Sequence, residues 1–126
     1  MEELYTKLFV EIECEHADLI RAVASACSGQ VEQWTVTSGP CEIDVRPNES
    51  RGVGHSSGPA DGFLDFPFTV EVVDEALENR TRYLSFVARM MIALHQLGAT
   101  VVAACEFEDE LPGGGTLRAT TVRPEE

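Results

Sequence analysis

Three histidines and four cysteines are the residues from which a metal site or a nucleophilic centre would have to be built. Cys14 and His16 stand two positions apart, a spacing that matches none of the usual zinc patterns and that along an extended strand means only a shared face. His16 therefore reads as a helix-start histidine beside a buried thiol. His95, between Leu94 and Gln96 near the end of a helical pattern, reads as structural, with its protonated form favoured by the helix dipole. His55 with Ser56 and Ser57 offers a base and hydroxyls in sequence. A working nucleophile also needs a rigidly held base and an orienting carboxylate, and a stretch rich in Gly and Ser supplies neither. Gly113 to Gly115 lacks the Lys-Ser/Thr ending of a phosphate loop and reads as a linker. Cys14, Cys27, Cys41 and Cys105 form no Cys-x-x-Cys pair, and each lies in an apolar-periodic element. Free, buried thiols that pack as small hydrophobes are expected, although an even number keeps disulfides formally open.

Acids are the other chemistry-bearing class. Twenty-two Asp plus Glu stand against nine Lys plus Arg, a net charge of −13. Such a chain is repelled by phosphate backbones and anionic membranes and attracted to basic surfaces, which argues against nucleic acid and membrane as partners. Glu11 with Glu13, or the run Glu106, Glu108, Asp109 and Glu110, could in principle move protons or hold a divalent cation. Acid-rich surfaces are usually only solvated, and no histidine accompanies these groups. The expectation is no enzyme, no cofactor and no metal.

The elements that would position these residues follow from periodicity. Leu4 to Cys14 alternates, with Leu4, Thr6, Leu8, Val10, Ile12 and Cys14 on one side, which predicts a half-buried strand. From about Ala17 the spacing of Leu19, Ile20, Val23, Ala24 and Cys27 predicts a helix, with Gly29 as its stop. Val31 to Thr37 and Cys41 to Arg46 predict a hairpin about Ser38-Gly39-Pro40, its first arm being strand or loop. Residues 47–62 hold too little apolar surface to offset their ordering entropy and predict a mobile loop. Phe63 to Val73 predicts a strand in which Pro67 implies an edge position or a bulge. Asn79 is an N-cap for a helix carrying Tyr83, Phe86, Val87, Met90, Met91, Leu94 and Leu97, and Gly98 ends it. Ala99 to Phe107 predicts a short strand, and Thr116 to Glu126 an added edge strand or a tail.

This order predicts an α+β fold, ferredoxin-like βαββαβ, with two helices on one face of an antiparallel sheet and an extra hairpin arm. One domain over 1–112, with 113–126 as tail or edge strand, suits a chain of 126 residues with 44% apolar content. The opening Met-Glu-Glu-Leu-Tyr carries no positively charged leader. No apolar run approaches the ~18 residues of a membrane span. A cytoplasmic protein is expected. If the alternating sets face the helices, the other face of the sheet bears Tyr5, Phe9, Glu11, Glu13, Glu42, Asp44, Asp65, Glu71 and Glu106, with Lys7 and Arg46 as minority cations. That face is the candidate partner-binding surface, with Tyr5 and Phe9 as anchors.

Leu4 to Glu11 (LYTKLFVE), Asp44-Val45-Arg46, Asp65-Phe66-Pro67-Phe68 and Val102 to Pro112 (VAACEFEDELP) resemble segments of small, mainly actinobacterial proteins of uncharacterised function. That likeness spans residues 4–112 and brings no catalytic residues with it. More loosely, the chain resembles the small acidic immunity proteins that neutralise toxins passed between bacteria. The resemblance implies an inhibitor that presents acids to a basic toxin or enzyme. The other reading is a small-molecule-binding or enzymatic ferredoxin-like domain, a homodimer with His16 or His95 in a pocket between open faces.

Overall fold

Alternation at the start of the chain produces β1 (Tyr5–Glu11), and the change to helical spacing produces α1 (His16–Cys27). The computed structural model describes residues 4–48, 66–74 and 79–119. After α1 come β2 (Gln30–Glu32), β3 (Thr35–Ser38), β4 (Cys41–Pro47) and β5 (Phe68–Asp74), then α2 (Arg80–Gln96), β6 (Thr100–Ala104) and β7 (Thr116–Leu117). The strands form one antiparallel sheet in the order β2-β3-β4-β5-β1-β6-β7. The fold is α+β, with both helices sharing one core cluster with a single set of strand side chains. Leu8 and Val10 of β1, Ile43 and Val45 of β4, Val70 and Val72 of β5, and Val101 of β6 are buried there against Leu19 and Val23 of α1 and Val87, Met91 and Leu94 of α2. Among the described residues, no helix is long and apolar enough to cross a membrane.

The sheet is larger than a plain βαββαβ order allows, because three strands lie between α1 and β5 where that order has one, and β7 follows β6. The β-rich stretch from Val31 breaks at Gln33-Trp34, where Gln33 takes a positive φ of 59°, and Val31 folds back to pair with Val36. Neither residue is a usual turn former, so the second hairpin had no local signal. Pro67 needs no edge or bulge: it sits in the bend just before β5, which is a central strand between β4 and β1. The predicted first residues of that strand, 63–65, lie outside the described residues, as do 49–62 of the expected loop and 120–126 of the expected tail.

Two boundaries move for tertiary reasons. The strand expected to reach Phe107 stops at Ala104, and the chain turns so that Phe107 packs edge-on to Tyr83 with ring centroids 5.8 Å apart. Glu108 accepts from the Cys105 N–H at 3.2 Å, and Arg80 holds Glu110 with both arms of its guanidinium, fixing that turn to the start of α2. The glycines after Pro112 do not act as a free linker: Gly115 is buried, and β7 follows directly and pairs with β6. Leu97, read as the last apolar residue of α2, lies beyond the helix as its C-cap and is exposed, with Gly98 at φ +102° completing the stop.

At the end of α1, Ser28 rather than Gly29 occupies the left-handed conformation, with φ 54°. A side chain there costs about 1–2 kcal/mol that glycine avoids, less glycine's larger entropy loss on folding. Ser28→Gly is therefore expected to raise unfolding stability by up to about 1 kcal/mol, measured by urea denaturation. An unchanged or lower midpoint would mean that the serine hydroxyl does more than cap.

Candidate functional site

Register decides which side chains meet on the face of the sheet turned away from the helices. One row runs Thr37, Glu42, Val73, Tyr5 across β3, β4, β5 and β1. The next runs Thr35, Asp44, Glu71, Lys7, Ala104, and the third runs Arg46, Thr69, Phe9, Val102, Thr116. Glu11 lies beyond, opposite Thr100. Among the described residues, neither α-helix packs on this side.

Asp44 and Glu71 face each other directly on neighbouring strands, an arrangement of like charges that ordinarily destabilises a sheet by a few tenths of a kcal/mol. Their neighbours offset part of this. Thr35 donates its hydroxyl proton to Asp44 Oδ1 at 2.6 Å, Arg46 approaches Asp44 at 3.8 Å, and Lys7 stands beside Glu71 in the row. Lys7 Nζ also lies 5.2 Å from the centre of the Phe9 ring. At the centre of the face, Phe9 is 6% and Thr69 5% exposed.

The residues expected to form this surface thus divide. Tyr5, Phe9, Glu11, Glu42, Asp44 and Glu71 are brought onto one face by β1, β4 and β5. Phe9 is buried and Tyr5 half-buried. Glu13 lies in the bend after β1, and Glu106 in the turn after β6, so neither belongs to the strand rows. Asp65 lies outside the described residues. Glu11, Glu42, Asp44 and Glu71 outweigh Lys7 and Arg46, so the face is acidic but mixed, and much of the charge of the chain lies elsewhere.

Among the described residues, both histidines bond backbone carbonyls. His16, the first residue of α1, donates from Nε2 to the carbonyl of Val45 at 2.7 Å; since a carbonyl only accepts, Nε2 carries the proton. The N–H of Val45 bonds Trp34, the residue just before β3, and His16 serves the Val45 carbonyl where β3 has turned away. Its ring lies between Trp34 and Phe68, 6.1 and 6.0 Å away, and Arg46 stacks over Trp34 at 5.1 Å. His95 donates from Nε2 to the Arg118 carbonyl at 2.7 Å, and the Ala119 N–H reaches Thr100 Oγ1 at 2.8 Å, so the segment after β7 is tied down at two points. His55, Ser56 and Ser57 lie outside the described residues.

All four cysteines are free thiols, with Cys41 buried and the others half-buried. Burial pushes each thiol above its ordinary value, and Cys41, close to Asp74, is raised to about 11. These are poor nucleophiles at neutral pH. Among the described residues, no group of three or more His, Cys, Asp or Glu could hold a metal ion.

Sequence reasoning missed a second feature on the helix side of the sheet. A cleft of about 230 Å³ opens between α2 and the β3–β4 turn, with Cys41, Asp74, Arg82, Phe86 and Arg89 in its walls. A smaller hollow of about 190 Å³ adjoins it toward the end of α1 and shares Ser38, Phe86 and Arg89. The signal was present as Arg82, Phe86 and Arg89 at i, i+4, i+7 on one helix, but only the fold shows what lies opposite.

Compared with known proteins, the chain matches no family model, no curated protein and no solved structure.

Proposed function

We propose that this is a protein-binding domain that uses the helix-free face of its sheet to engage a basic partner, in the manner of an immunity or inhibitor protein. The observation that carries the reading is the Asp44–Glu71 pair. Two carboxylates set directly across from one another cost the isolated domain stability, and a lysine or arginine from a partner, seated between them, would turn that cost into a charge-assisted contact. Glu42 and Glu11 at the margins and a net charge of −13 would steer a basic protein to the face. We further propose that β4-β5-β1-β6 with α1 and α2 is a ferredoxin-like core, to which β2, β3 and β7 are additions. The additions widen the sheet at both edges and so enlarge the binding face.

The reading makes a separable prediction for Asp44→Asn and Glu71→Gln. Each removes half of a like-charge pair without changing shape, so the domain should keep its stability or gain a few tenths of a kcal/mol. Partner affinity should fall by about tenfold or more for the double variant, as for other charge pairs desolvated at interfaces. The measurement is affinity capture from extract of the native organism at low and high salt, with wild type and double variant side by side, followed by titration of the captured basic protein. Capture that survives the double substitution and is indifferent to salt would overturn the proposal.

A further inference from the structure

We propose that the cleft between α2, the β3–β4 turn and the end of α1 binds a small organic anion with a flat apolar body, an aryl carboxylate or aryl phosphate. It lies on the opposite side of the sheet from the protein-binding face and does not depend on it.

The argument starts from the disposition of cations in an acidic chain. Arg21 pairs with Asp18, Arg46 with Asp44, and Arg80 with Glu110. Arg82 and Arg89 have no carboxylate partner among the described residues, although acids outnumber basic residues more than two to one. They stand seven positions apart on α2, two turns and about 10 Å along one face. Both line the same cleft, with Phe86 between them. An arginine presents a planar fork suited to carboxylate or phosphate and retains its charge at any working pH.

The two hollows differ in a way that orients the ligand. Asp74 lines the larger one at the Arg82 end, where its carboxylate disfavours an anion. The smaller hollow contains Arg89, Ser28 and Ser38 and no carboxylate. The anionic group therefore seats at Arg89, and the apolar body crosses Phe86 toward Pro40 and the neutral Cys41 thiol. The remaining charge of the protein is no barrier, because at physiological ionic strength acids more than about 8 Å away are largely screened. The carbonyl end of α1, which borders the smaller hollow, carries partial negative charge, and only a cation held there could make it receptive to an anion.

The test is an NMR titration of the ¹⁵N-labelled chain with phenyl phosphate and with 1-naphthoate. Inorganic phosphate and benzamide serve as probes carrying one feature each. Saturable shifts are expected at the Gly39 amide and the Arg89 Nε–H, with the single-feature probes weaker by about tenfold, the worth of one charge-assisted bond. Arg89→Ala should weaken both aryl anions by about tenfold or more, Arg82→Ala by less, and Arg89→Lys should restore part of the loss. Binding by the Asp44→Asn, Glu71→Gln double variant should equal wild type, which separates this site from the protein-binding face. Absence of saturation up to ~10 mM, well above the affinity such contacts support, would overturn the proposal. So would titrations unchanged in Arg89→Ala, the result expected if Arg89 only neutralises the end of α1 and its loss merely lowers the melting temperature.

Discussion

Tyr83→Ala is expected to lose about 3–5 kcal/mol of unfolding stability, a large share of the 5–15 kcal/mol typical of a domain, and to leave the protein partly unfolded at 37 °C. Tyr83 is 1% exposed, at the meeting point of α2, β1 and β5, with Phe107 edge-on to its ring. Its hydroxyl lies 2.8 Å from the Val72 carbonyl and 2.9 Å from Thr6 Oγ1. The carbonyl can only accept, so the phenol proton goes to Val72 and the Thr6 hydroxyl donates to the phenol oxygen. This relay explains why a polar residue, Thr6, occupies an inward position of β1 at no exposure at all. Burial holds the phenol above its ordinary value, so it stays a donor throughout the physiological range. Tyr83→Phe keeps the ring and breaks the relay, for an expected loss of about 1–2 kcal/mol. Chemical denaturation of wild type and both variants checks the series. Equal losses for Phe and Ala would show that the hydrogen bonds, not the packing, dominate; no loss for Phe would show that the relay is not made.

Gly29→Ala should cost about 1–3 kcal/mol, the usual range for overpacking a filled core. A Cβ at this position would clash with Val36 Cγ1 and stand 3.0 Å from the Thr37 carbonyl oxygen and 3.1 Å from Cys27 Sγ. Val36 is fully buried in β3 and the Thr37 oxygen belongs to the sheet backbone, so neither gives way easily. Backbone freedom is not the reason, since the left-handed residue is Ser28. The double substitution Gly29→Ala, Val36→Ala should therefore be less destabilised than the sum of the two single changes, by about 0.5 kcal/mol or more in a double-mutant cycle. Additive losses would return the glycine to a conformational role.

Tyr83 and Gly29 hold the helices against the sheet, and in doing so they fix the walls of the Arg82–Arg89 cleft, which is lined by Tyr83 itself and adjoins Cys27. Asp44 and Glu71 face away from this core. A loss of partner capture in their variants can thus be read without a change of fold.

The sequence by itself determined the elements whose information is local. Alternation marked β1, β4 and most of β5, because residues two apart on a strand share a face. Apolar spacing marked α1 and α2, and Asn79 marked the start of α2, where its side chain accepts from the Arg82 N–H at 2.9 Å. Such signals depend on a residue and its near neighbours, and burial of one face then leaves little choice about what points inward. The tertiary structure alone decided what depends on partners distant in sequence. The separation of β2 from β3 at Gln33-Trp34, the early end of β6, and the docking of the segment after Gly115 involve contacts with other elements of the chain. The same holds for the candidate sites. Composition announced an acidic protein, but cross-strand register placed Asp44 opposite Glu71 and left Glu13 and Glu106 off that face. A helical pattern announced Arg82, Phe86 and Arg89 on one side of α2, but only packing against the β3–β4 turn made that side a cleft. Register and packing are properties of pairs of segments, and a single segment does not contain them.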